Sequence, residues 1–199
     1  YIHQITEDIQ HNIWILTDGG IAQYRRSSDD FAIPLDDRGH PILAYSACLT
    51  EQGVIFGGRN RIYRYDYDSR SIKLLLDFSS DPYFAISAIS RWDEETLLCC
   101  SRWQGLRLIN LRSGERRLPP FDCGKEIMAL LIDSHNRIWL APYNEGLRCF
   151  NPEGRLLASY TTDNSGLSNN VVLSMAERDS HIWVGTDGGG INIIHPDRK

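Results

Sequence analysis

His181-Ile182-Trp183-Val184-Gly185-Thr186-Asp187-Gly188-Gly189-Gly190-Ile191 sets an apolar strand, a polar and glycine turn and the start of a second apolar strand in eleven residues. The same order stands at Asn12-Ile13-Trp14-Ile15-Leu16-Thr17-Asp18-Gly19-Gly20-Ile21, and again from Arg137-Ile138-Trp139-Leu140 to Gly146-Leu147. Two degenerate copies fill the gaps, Val54-Ile55-Phe56-Gly57-Gly58 to Ile62 and Leu97-Leu98-Cys99-Cys100 to Leu106. With the tryptophan slot as marker, the series is Trp14, Ile55, Leu98, Trp139 and Trp183, in steps of 41, 43, 41 and 44 residues. A period of roughly 40–45 residues built from short strands is the signature of a β-propeller. The expected fold is therefore all-β, with about five four-stranded blades.

One repeat can be read strand by strand. Val171 to Ala176 forms a first strand, Glu177-Arg178-Asp179-Ser180 a polar turn, His181 to Gly185 a second strand and Ile191 to Ile194 a third. Earlier repeats add a fourth, as at Ser71-Ile72-Lys73-Leu74-Leu75-Leu76-Asp77 and Gly154 to Tyr160. Repeats are expected at about 1–40, 41–83, 84–124, 125–168 and 169–199, as one propeller segment. The last lacks a fourth strand, so the chain is expected to be part of a larger propeller or to close imperfectly. A blade covered on both faces needs bulky residues at fixed places, which predicts packing roles for Trp14, Trp139 and Trp183. Gly188-Gly189-Gly190 does not read as a phosphate loop, because no helix and no Lys-Ser/Thr pair follow it.

Composition narrows the function. A net charge of −5 argues against nucleic-acid binding, which needs a basic surface. No apolar run approaches the roughly 20 residues of a membrane helix. Tyr1 opens directly into a strand-like segment and is read as a processing boundary, so the lack of a leader says nothing about compartment. Five cysteines (Cys48, Cys99, Cys100, Cys123 and Cys149) form no CxxC pair, and four of them fall in strands as small hydrophobes, with one bridge left open. His11, His135 and His181 occupy similar turns but lack ligand spacing within one element, so neither a metal nor a cofactor is expected. Asp8, Glu94, Glu95 and Asp133 sit in first-to-second turns, where acidic residues favour turn formation.

The repeats resemble the two-component-regulator propeller repeat of bacterial hybrid two-component systems, whose unit has Ile-x-Glu-Asp, Ile-Trp-Ile-Gly-Thr and Gly-Gly-Leu/Ile segments. Here Ile5-Thr6-Glu7-Asp8 precedes Ile13 to Ile21, and Gly166-Leu167-Ser168-Asn169-Asn170-Val171-Val172 precedes Ile182 to Asn192. The last repeat matches closely, the first and fourth well, and the second and third have lost the tryptophan and most of the glycine turn. The resemblance implies a periplasmic sensor of two seven-bladed propellers, followed by an immunoglobulin-like domain, a membrane helix, a histidine kinase and a response regulator. None of those later parts lies in this chain, so kinase activity cannot belong to it. The resemblance further implies sensing of oligosaccharides to regulate polysaccharide-utilisation genes, in the ectodomain of an inner-membrane protein that works as a homodimer.

The turns between second and third strands are the candidate binding rim. The first and last repeats keep Thr-Asp-Gly-Gly, whereas the middle three place Arg59 and Asn60, then Arg102, Trp103 and Gln104, then Tyr143, Asn144 and Glu145. Trp103 and Tyr143 offer flat faces for sugar rings, the amides and Glu145 offer hydrogen bonds, and the two arginines suit a uronate or sulfate. Links on the same rim add Asp81-Pro82-Tyr83-Phe84 and Lys125-Glu126, with Tyr83 and Phe84 read first as core residues opening the third repeat. Exposed turn residues of these types are also commonly just solvated. Two other classes stay open. Paired carboxylates from distant blades would make a propeller glycoside hydrolase or polysaccharide lyase, and an unpaired blade edge would suit a protein-interaction or dimerisation scaffold. The favoured expectation is a non-catalytic module with an oligosaccharide ligand.

Overall fold

A computed structural model describes residues 1–36, 38–101, 104–122, 124 and 126–196. Among these the regular elements are all β-strands, in five antiparallel sheets whose strands follow chain order. The first sheet holds β1 (Ile2–Glu7), β2 (Ile13–Thr17), β3 (Gly20–Arg25) and β4 (Asp30–Ala32). The second holds β5 (Ser46–Leu49), β6 (Gly53–Gly57), β7 (Arg61–Asp66) and β8 (Ser71–Asp77). In the third are β9 (Ile86–Arg91), β10 (Thr96–Ser101), β11 (Gly105–Asn110) and β12 (Arg116–Arg117). The fourth comprises β13 (Ile127–Ile132), β14 (Ile138–Pro142), β15 (Leu147–Phe150) and β16 (Leu156–Tyr160). The fifth has three strands, β17 (Val172–Arg178), β18 (His181–Thr186) and β19 (Gly190–Ile194). Four-stranded meanders at a fixed period are propeller blades, as the repeats predict. By compactness the chain divides into Tyr1–Gln104 with Leu108–Arg116, and Gly105–Arg107 with Arg117–Lys199.

In the first unit the second sheet is covered on both faces. Successive side chains of β6 point to opposite sides, so Val54 and Phe56 join Trp14 and Leu16 of the first sheet, while Ile55 joins Phe84 of the link before β9 and Ile86, Ile89 and Leu97 of the third sheet. That is why β6 is an unbroken apolar run rather than an alternating one. Trp14 meets Phe56 and Tyr65 edge-on at 5.1 and 4.7 Å. Each such aromatic pair adds about 0.5–1.5 kcal/mol to what burial alone supplies. Phe84 is buried, as expected of a core residue, but Tyr83 is 69% exposed.

The second unit repeats the arrangement. Trp139, Ala141, Leu147 and Cys149 of the fourth sheet pack with Val172, Ile182 and Val184 of the fifth. The tryptophan slot thus points at the following sheet. Trp183 departs from the packing role predicted for it, since it is 39% exposed while Trp14 and Trp139 are at 0% and 1%. It lies across from Ala176 and Ile193, on the face of the fifth sheet opposite Ile182 and Val184, beside the exposed Ile191.

Two buried aspartates fasten the buried tryptophans. Asp8 Oδ2 accepts the Trp14 Nε1 hydrogen at 2.7 Å, while its Oδ1 accepts the backbone N–H groups of Gln10 and Asn12. Asp133 repeats this six residues before Trp139, accepting Nε1 at 2.8 Å and the backbone N–H groups of His135 and Arg137. Burial opposes ionisation of Asp133, but the hydrogen bonds from Trp139 and Arg137 outweigh it and hold the carboxyl below its ordinary range. In the fifth sheet Glu177 stands six residues before Trp183, and its carboxylate instead accepts the Ser134 backbone N–H and hydroxyl.

The repeat is also written in polar contacts between first strands. The Gln4 side-chain amide donates to the Ala47 carbonyl at 3.0 Å and accepts the Ala47 N–H at 2.8 Å, 43 residues on. Ile89 N–H donates to Ser46 Oγ at 3.1 Å over the same interval of 43. Cys48, Cys99, Cys100 and Cys149 lie within strands, where Cys48, Cys99 and Cys149 are free thiols; Cys123 lies outside the described residues. Burial pushes the Cys48 thiol up to about 12 and the Cys149 thiol likewise, which suits their packing role.

Candidate functional site

The turn from β6 to β7 carries Arg59 and Asn60. Its backbone is fixed, with the Arg59 carbonyl accepting the Ile86 N–H and the Asn60 carbonyl the Phe78 N–H, both at 2.7 Å. The Arg59 side chain is exposed and Asn60 half-buried, and neither side chain hydrogen-bonds to another described residue. Arg102 and Trp103, of the next turn, lie outside the described residues, as does Lys125 of the link read onto the same rim.

Gln104 has a partner within the protein. Its Nε2 donates to Asp81 at 3.2 Å, beside Arg116, whose Nη1 donates to the same Asp81 Oδ2 at 2.8 Å. The Arg116 guanidinium also lies over the Phe84 and Phe78 rings, 4.7 and 5.3 Å from their centroids. The Arg116 hydrogen bond is the main cause holding the Asp81 carboxyl below its ordinary range. Gln104 therefore braces the link between the second and third sheets, and its amide is already engaged.

In the second unit Tyr143, Asn144 and Glu145 follow one another in the turn from β14 to β15. Tyr143 is 54% exposed, and Asn144 sits in the left-handed region at φ 57°. Gly146 closes the turn at φ 74°, where an added Cβ would lie 2.1 Å from the Tyr160 carbonyl oxygen. This glycine is required by the close backbone approach. The Glu145 carboxylate accepts from Arg148. Tyr143 thus presents an open aromatic face, Arg59 an open cation, and Glu145 a carboxylate already shared.

Sequence reasoning passed over a cleft of about 960 Å³ in the first unit, lined by the β1–β2 turn, the end of β3, the chain after β4 and the β7–β8 turn. These are first-to-second and third-to-fourth turns, not the second-to-third turns of the predicted rim. The available signal was Phe31-Ala32-Ile33-Pro34-Leu35, an apolar stretch that proline bars from continuing as a paired strand.

Comparison with protein families matches residues 166–188 to the two component regulator propeller. The chain carries a two-component regulator propeller repeat. The regulator-propeller repeat covers the approach to β17, then β17, β18 and the first glycine-turn residues. Comparison with curated protein sequences finds no match. Among solved structures, the extracellular domain assigned to the one component system BT4673 of B. thetaiotaomicron superposes at TM-score 0.72 with 23% identity, over 98% of this chain and 28% of that one. A second BT4673 structure, assigned to a hybrid two component system, gives TM-score 0.63 at 19% identity, over 96% and 32%. PorZ, a surface component of the type-IX secretion system of Porphyromonas gingivalis, gives TM-score 0.63 at 17% identity, over 96% and 31%. At these identities the likeness is one of fold, and the chain spans less than a third of each.

Proposed function

We propose that this chain is a non-catalytic, extracytoplasmic ligand-sensing segment of a two-component system, and that its ligand is an oligosaccharide. The regulator-propeller repeat at 166–188 carries this reading, and the fold likeness to the extracellular domains of BT4673 supports it. In this reading the chain works in the periplasm and reports to a kinase that lies outside it, controlling polysaccharide-utilisation genes. Propellers suit the task because turn residues can change while the sheets stay packed. A ligand that favours one arrangement of a dimeric sensor would transmit the signal. The test is thermal unfolding of the whole chain against neutral and acidic oligosaccharides from plant, fungal and host polysaccharides. A saturable rise in Tm with one class is the expected result, because a ligand bound only to the folded state raises apparent stability. Turnover of any of these glycans would replace the sensor reading with the hydrolase or lyase one.

The exposed Trp183, Ile191 and Ile193 favour a second reading, in which this face associates with another copy of the chain. Mass that rises with concentration in sedimentation, and is lost in Trp183→Ser, would support it.

A further inference from the structure

We propose that the cleft between the first and second sheets is an anionic-sugar site, with Arg26 and Arg70 as its charge-recognising groups. The inference rests on the oligosaccharide reading above and names both a place and a ligand class. The cleft, about 960 Å³, falls in the size range of small-ligand sites, roughly 300–1,000 Å³. Its opening follows from strand length. β4 stops after three residues, just before Ile33-Pro34, whereas β8 continues for seven and covers the length of β7. Beyond Ala32, β4 supplies β3 with no further partner, and the Ile21 N–H donates instead to the Ile42 carbonyl at 3.0 Å.

The lining combines two kinds of surface. Among the described residues Arg25, Arg26, Arg70 and His11 border it and no carboxylate does, in a chain of net charge −5. Arg25 is held by a two-pronged contact with Asp30, at 2.9 and 2.6 Å. Arg26 has one long contact, 3.4 Å to Glu7, and Arg70 has no hydrogen bond or ion pair with any described residue. Arg70, and Arg26 once it leaves its long contact with Glu7, can take a carboxylate or sulfate as a fork. Ile33 and Leu35 of the same lining are 61% and 51% exposed, apolar surface suited to the C–H face of a sugar ring.

The corresponding groove one sheet further on shows what the first one lacks. Between the second and third sheets the space is about 360 Å³, and its Arg64, Arg91 and Arg112 are interleaved with Glu51, Glu94 and Glu95. Arg112 is already paired with Glu95 at 2.6 Å. The same position in the repeat is thus smaller and lined by both charge signs in one copy, and larger and lined by cations, with Arg70 unpaired among the described residues, in the other.

The experiment is calorimetric titration of the whole chain with three probes: trigalacturonate, a sulfated galactose oligosaccharide without carboxylate, and neutral galactotriose. It is repeated with the double variant Arg26→Ala/Arg70→Ala and, for the other rim, with Arg59→Ala. The double variant should keep the parent's thermal midpoint, since both side chains are exposed. We expect an anionic probe to bind, affinity to fall as sodium chloride is raised, and the double variant to lose about tenfold or more. Which anionic probe binds separates carboxylate from sulfate recognition. Anionic binding unchanged in the double variant, or lost only in Arg59→Ala, overturns the cleft and leaves the sensor reading standing. Binding of the neutral probe alone does the same. Failure of all three probes, together with no shift across the wider glycan panel, removes both.

Discussion

Trp139 and Trp183 occupy one slot in adjacent repeats, yet the first is 1% exposed and the second 39%. Their own strands pair alike: Trp139 lies between Leu131 and Cys149, Trp183 between Ala176 and Ile193. The difference lies in what covers them. Trp139 is buried by Val172, Ile182 and Val184 of the following sheet and by the Asp133 carboxylate. Trp183 has neither, because Glu177 is turned to Ser134 and no described sheet covers its face. Burial of the motif tryptophan is thus a property of two neighbouring repeats. The stretch that matches the family best is the one least enclosed.

If that comparison holds, truncating the two tryptophans should give very different results. Trp139→Ala should destabilise the second unit by about 3–5 kcal/mol, the usual range for emptying a large aromatic site. Trp183→Ala should cost under about 1 kcal/mol, and equal losses for the two in urea unfolding would break the contrast. Between them falls Asp133→Asn, which keeps the shape and removes the charge that Trp139 and Arg137 bind. A loss of about 1–3 kcal/mol at neutral pH is expected. Because the folded state lowers the Asp133 pKa, its contribution is complete above the unfolded value, about 3.9, and is lost as pH falls through the folded one. The gap between parent and Asp133→Asn should therefore narrow below about pH 4. A gap that stays constant to lower pH would mean that the carboxylate charge plays no part.

Much of this architecture was readable in the chain. The second strands announce themselves through Ile-Trp-Ile and Ile-Trp-Val, and the glycine turns fix where the third strands begin. The six-residue spacing from Asp8 to Trp14 and from Asp133 to Trp139 was equally visible, but composition alone made those aspartates look like turn formers. They are that and also the tryptophans' hydrogen-bond partners. Harder to foresee was the fate of Gln104, because its partner Asp81 is 23 residues away and faces it only after the sheets assemble. The cleft was hidden for a related reason. It depends on β4 ending early, an event of strand length rather than residue type, and on Arg26 and Arg70, which look like ordinary turn residues until their surroundings are assembled.

The amide of Gln4 laid against Ala47 has a consequence for handling and design. A first strand such as β5 is bonded along one edge to β6 and offers its other edge to any strand that drifts near. A side-chain amide carries the same donor and acceptor as a peptide group, so Gln4 plugs one rung of that open ladder without committing a second backbone. Ser46 fills a rung of β9 in the same manner. On β5 and β9, single polar side chains thus occupy rungs that a stray strand would otherwise take, and a designer extending the array could use the same device on each added first strand.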